Sequence, residues 1–238
     1  MSLDKILSSN RIKKSLSSAL LATTLSLFGC PQTLPENISD YEPPVNVSPP
    51  QNNEGDNENE IKTADIGASE DSYVSSSQPS QNFGDEWILY TGNSNLGSSG
   101  YTDYIAFIKF DVSRITAREI IHAELSLVPG SNASYIKPLG TTEVGYIRFS
   151  SWGENSISYD NMPTQIINLD AQTIKFDVAA THRFDVTGAV RKWYNYTIPN
   201  NGLAIKTTSF SNVDFDYAVF YSKENGFIGP RLEVTYRE

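Results

Sequence analysis

Residues 119–128, EIIHAELSLV, alternate strictly: Ile121, Ala123, Leu125 and Leu127 fall on one side, and Ile120, His122, Glu124 and Ser126 on the other. An extended chain sends successive side chains to opposite faces, so this period of two predicts a strand with one face on a core. The period recurs in 104–111, where Ala106, Ile108 and Phe110 alternate with Phe107 and Lys109, and again in 203–207 and 232–236. Several such strands separated by Gly-, Asn- and Ser-rich turns predict an all-β fold, a β-sandwich or jelly roll. One short helix is expected in DVTGAVRKWYN (185–195), where Asp185 or Thr187 can cap and Val190, Trp193 and Tyr194 share a face. Residues 64–238 are enough chain to bury one substantial core.

The N-terminal segments have a different character. Lys5, Arg11, Lys13 and Lys14 precede the uncharged stretch 15–28, which is too short to span a bilayer comfortably and has the layout of an export signal. It ends in Leu27-Phe28-Gly29-Cys30, and Cys30 is the sole cysteine, so neither an intramolecular disulfide nor a thiolate metal cluster is available. The ending resembles the lipobox of bacterial lipoproteins, although Phe28 is bulkier than the usual residue there. That resemblance implies cleavage after residue 29, acylation of Cys30 and anchorage to a membrane of the bacterial cell envelope, at the cell surface or in the periplasm. Each buried acyl CH2 contributes about 0.8 kcal/mol, so several chains hold firmly. Residues 30–63 follow with Pro43-Pro44, Pro49-Pro50 and QNNEGDNENE. Without an apolar period they read as a disordered acidic tether.

The stretch SSWGENSISYDNMP (150–163) poses the main chemical question. Glu154 and Asp160 could be the acid and base of a glycoside hydrolase, but six residues of separation fix no geometry between them. The same residue types suit a structural joint: Trp152 and Tyr159 flank a polar turn, while Glu154, Asp160 and Asn161 can accept its backbone N–H groups. The joint is the preferred reading. The two histidines, His122 and His182, fit no zinc spacing, no Gly-x-Ser-x-Gly elbow exists, and GNSNLGSSG (92–100) lacks the lysine of a phosphate loop.

Six segments in order resemble the DNRLRE domain, a β-sandwich family related to carbohydrate-binding modules. They are DSYVSSSQPSQNFGDEWILYTGN (71–93), AFIKFDVSRI with IIHAELSL (106–127), SWGENSISYDNMP, FDVTGAVRKWYN, NNGLAIKT and FYSKENGFIGPRLEVTY. The family has Trp where Tyr159 stands and often Ser-Arg-Glu where Ser222-Lys223-Glu224 stands. The resemblance implies a non-catalytic module that binds polysaccharide or a cell-surface glycan. A structural or adhesive module with protein or cell-wall partners is the alternative, and a polysaccharide-active enzyme the third.

Sugar faces stack on aromatic rings while Asn, Asp and Arg groups meet the hydroxyls. Aromatics in loop-like stretches are Tyr101, Tyr104, Tyr135 and Phe210, and the set chosen as ligand-binding is Tyr101, Tyr135 and Asn132. Charge sets the ligand class. The chain carries −10, and residues 1–29 hold four basic groups and one acidic, so the remainder is near −13. Long-range attraction to nucleic acid or acidic glycan is therefore not expected. A polyanion would need a local patch around Lys109, Arg148 or Lys206, or a bridging Ca2+. Neutral polysaccharide is the easier ligand. No cofactor is expected beyond a structural Ca2+, for which Glu70, Asp71 or Asp111 could supply oxygens, although Asp111 can equally cap its own turn.

Overall fold

The computed structural model describes residues 60–95, 100–130, 140–174, 180–209 and 215–238. Ten strands and one helix follow in the order β1 (Ile61–Ser75), β2 (Ile88–Asn95), β3 (Tyr101–Phe110), β4 (Glu119–Leu127), β5 (Gly140–Ile147), β6 (Ile166–Ile174), β7 (His182–Asp185), α1 (Thr187–Tyr194), β8 (Leu203–Ser209), β9 (Phe215–Tyr221) and β10 (Arg231–Arg237), with a 3-10 turn at Lys223–Ile228. The fold is all-β and sandwich-like, as the alternation predicts. Its first strand begins at Ile61, three residues before the expected domain start.

β1 is fifteen residues long and belongs to two layers. Its first half, from Ile61 to Gly67, pairs antiparallel with β10, which continues to β4 and β7. From Ala68 onward its second half pairs with β3, with a register shift between Ala68 and Glu70, and β3 continues to β8, β5 and β6. β2 and β9 form a further ribbon on β3. The main core lies between the layers. Leu125, Leu127, Leu232 and Val234 come from one side, Ala106, Ile108, Val144, Leu203 and Ile205 from the other, and Ala189, Val190 and Trp193 of α1 join them.

Two local expectations change. Ile120, not Ile121, is buried with Ala123, Leu125 and Leu127. The reason is a bulge: Thr235 pairs with His122 but Tyr236 pairs with Ile120, so an extra residue on β4 shifts its alternation by one. On β3 both faces are buried, because Phe107 belongs to a second core outside the sandwich. Neither cap candidate holds the cap position of α1, which falls to Val186 without a side-chain cap bond; Asp185, one residue earlier, accepts the Thr187 N–H on its Oδ1 at 2.8 Å. The Thr187 hydroxyl instead accepts the Ala123 N–H at 2.9 Å and holds the helix to β4.

Candidate functional site

Residues 150–163 cover the outer face of the β3–β8 layer. Ser150 turns the chain off β5 with φ 64°, and Trp152 and Ile157 then bury against Val74, Ile105, Phe107, Ile147 and Ala204. Trp152 is 8 % exposed, and its indole N–H donates to the Asn201 carbonyl at 2.9 Å. The Lys109 ammonium sits 4.4 Å from the centre of that ring and donates to the Trp152 carbonyl. The segment also closes on itself, for Asn161 accepts the Ser158 N–H at 2.8 Å and donates to the Ser156 carbonyl at 2.9 Å. From outside, Asn82 donates to the carbonyls of Glu154 and Ile157, both at 2.7 Å, and accepts the Gly84 N–H. A Cβ on Gly84 would lie 2.4 Å from the Glu154 carbonyl oxygen, so the Asn82-Phe83-Gly84 turn admits no larger third residue.

The carboxylates of this stretch are tied into a network. Glu154 Oε1 accepts the Asp71 N–H at 3.0 Å and pairs with the Lys223 ammonium at 3.0 Å. Glu70 pairs with Lys109 at 3.1 Å and accepts the Glu154 N–H at 3.1 Å. Asp71 is fully buried, and its Oδ2 accepts the Lys223 N–H at 2.7 Å. Desolvation pushes the Asp71 carboxyl up to about 7 against the pull of Lys223. Asp160 lies exposed on its turn. The two carboxylates considered as an acid and base thus have different surroundings, and Glu154 is held as a strut in the joint.

A second aromatic group has the character of a platform. Across β3, β2 and β9 the register aligns Tyr104, Gly92 and Tyr217. Gly92 has φ 113°, a conformation that disfavours any side chain there. The Tyr104 and Tyr217 rings stand 6.0 Å apart on either side of it, and Tyr90 lies 5.5 Å from each. Tyr73 of β1 continues the surface, 5.2 Å from Tyr90 and 6.2 Å from Tyr104, and Phe83 stacks on Tyr73 at 4.4 Å. Tyr73 belongs to the main core, while Phe83, Tyr90, Tyr104 and Tyr217 are partly buried. Burial raises the phenols of Tyr73, Tyr90 and Tyr217, so they remain protonated hydrogen-bonding groups; the Glu86 charge adds to this at Tyr73 and Tyr90.

Of the chosen ligand-binding set, Tyr101 is described: it is 72 % exposed at the start of β3. It stands three positions before Tyr104, an odd offset, so the two leave opposite faces of the strand, and Tyr101 is not part of the ring cluster. Asn132, Tyr135, Phe210 and Cys30 lie outside the described residues. The suggested basic patch is divided. Lys109 is engaged with Glu70 and Trp152, Arg148 lies 4.9 Å from the centre of the Phe149 ring, and exposed Lys206 stands opposite Glu143. Asp111 Oδ1 accepts the Ser113 N–H at 3.0 Å and so caps its turn. Sequence reading named Tyr104 but missed Tyr73, Tyr90 and Tyr217, which sit within strands. The signal available was three Tyr within strands, one of them two residues before the in-strand glycine Gly92.

No curated protein matches the chain. Residues 62–236, nearly the whole sandwich from β1 to β10, match the family model of carbohydrate-binding module family 96, and the chain belongs to that family.

Proposed function

We propose that the protein is a non-catalytic module that binds neutral polysaccharide on the Tyr73–Phe83–Tyr90–Tyr104–Tyr217 surface. The observation that carries this is the run of rings around Gly92, four of them partly exposed and backed by buried Tyr73, each within about one ring's width of the next. Pyranose rings present apolar C–H faces, and half-buried tyrosines offer matching flat surfaces held at little entropic cost. The ionised side chain that bears on these phenols is Glu86, which opposes an acidic chain. The order of motifs supports the narrower DNRLRE assignment, and Leu27-Phe28-Gly29-Cys30 supports anchorage of the module to a bacterial envelope membrane through an acylated Cys30.

Affinity electrophoresis of the full chain through neutral and acidic polysaccharides tests the reading. Retardation by a neutral glycan, lost in Tyr217→Ala with the fold intact by circular dichroism, is the expected result. Retardation by acidic glycans alone, or binding unchanged in both Tyr217→Ala and Tyr90→Ala, overturns it. The adhesive reading has its own observation: Phe227 and Ile228 of the 3-10 turn are 96 % and 44 % exposed, on the turn whose Asn225 side chain donates to the carbonyl of half-exposed Trp87. Absence of glycan binding together with capture of an envelope protein that is lost in Phe227→Ser would favour that reading.

A further inference from the structure

The joint network contains a charge imbalance. Glu70, Asp71, Glu154 and Glu224 bring four carboxylates, and Lys109 and Lys223 bring two ammoniums. One oxygen each from Asp71, Glu154 and Glu224 lies within 4.8 Å of the others. Asp71 is fully buried, and although its Oδ2 takes the Lys223 N–H, its Oδ1 has no hydrogen-bond partner. A buried carboxylate oxygen left without a partner costs more than a typical hydrogen bond returns, so such an atom calls for a counter-charge. On the same segment the buried Ser222 hydroxyl, next to Lys223, likewise has no partner.

We propose that Asp71, Glu154 and Glu224 hold one divalent cation, Ca2+, where β1, the 150–163 joint and the 3-10 turn meet. The donors are all hard oxygens, which select a hard cation over zinc or copper. Three oxygens within 4.8 Å of one another need only small side-chain shifts to approach one ion at about 2.4 Å, the usual Ca–O distance, and the smaller Mg2+ demands a tighter octahedron. Two positive charges cancel the excess carried by the four carboxylates. The ion gives Asp71 Oδ1 a partner and displaces the Lys223 ammonium from Glu154 and Glu224 toward solvent; that side chain is 26 % exposed already. Glu70 stays with Lys109, and Asp111 stays in its turn.

The proposal stands apart from the glycan surface and is tested by calorimetric titration of CaCl2 into the full chain after EDTA treatment and dialysis. The expected result is one Ca2+ per chain, bound about tenfold or more weakly by Glu224→Gln and by Asp71→Asn, with Asp111→Asn unchanged. Glu224 lies at the rim with its side chain 27 % exposed, so its variant keeps the test valid where Asp71→Asn fails to fold. The proposal is overturned by the absence of saturable binding, which would mean that Lys223 and a proton on Asp71 neutralise the cluster. It is equally overturned by binding that survives in Glu224→Gln.

Discussion

The Trp152 joint and the tyrosine surface are both aromatic clusters on the β1–β3 layer, yet they are finished differently. In the joint the ring is buried, its N–H is bonded to Asn201, and Lys109 and the carboxylate network close over it. Around Gly92, Tyr73 is part of the main core, and the other four rings pack against buried residues while keeping part of their area at the surface. Aromatic content therefore does not mark a ligand site. What distinguishes the two is how much ring area the fold leaves at the surface.

Truncating each cluster should separate them. Trp152→Ala opens the second core and should cost about 3–5 kcal/mol, read from urea unfolding. Tyr217→Ala should cost about 1 kcal/mol and act on glycan retardation instead. Equal stability losses would erase the distinction.

The joint alone should respond to pH through Asp71. Its carboxyl moves from an ordinary 3.8 to about 7 on folding, because burial disfavours the charge. Between those values the folded chain keeps a proton that the unfolded chain has released. The contribution is therefore greatest in acid and is lost as pH rises from about 4 through 7, by up to about 4 kcal/mol at about 1.4 kcal/mol per unit. In EDTA the urea midpoint should fall between pH 4.5 and pH 8, and Asp71→Asn should flatten that fall relative to wild type. An unchanged slope in Asp71→Asn would place the pH response elsewhere.

Smaller effects test the surface. At Gly92, φ 113° makes Gly92→Ala cost about 1–2 kcal/mol, and the added methyl intrudes between Tyr104 and Tyr217. Glycan retardation should fall by more than that modest unfolding change explains. Tyr101→Ala should leave stability within about 0.5 kcal/mol and retardation unaltered, since Tyr101 leaves the opposite strand face. A loss of retardation in Tyr101→Ala would move the site to the outer face.

Much of the fold was legible because alternation is local: the spans of β3, β4, β8 and β10 follow from the period of two, and within 150–163 Asn161 satisfies its own turn as expected, whereas the Glu154 carboxylate reaches the distant Asp71 N–H and Asp160 lies exposed. Other features depend on pairing across the fold. The β4 bulge that buries Ile120 is set by β10, more than a hundred residues away. Asn82 clamps Glu154 and Ile157, and Asp71, Glu154 and Glu224 converge from three distant segments. The tyrosine surface escaped for the opposite reason. Its rings occupy ordinary strand positions, where an aromatic is expected for packing alone, and their adjacency appears once the register sets Gly92 between Tyr104 and Tyr217.

β1 runs through both layers, joined to β10 from Ile61 onward and to β3 as far as Ser75. Antiparallel ladder bonds lie across the strand axis. A pull applied at Ile61 and resisted by a glycan held near Tyr73 is directed along that axis, so the rungs bear tension together in shear and do not peel one at a time. On the proposed anchored, glycan-binding reading, the strand that joins the two layers would be the tension member between tether and polymer, and the grip under flow would depend on the length of its two ladders.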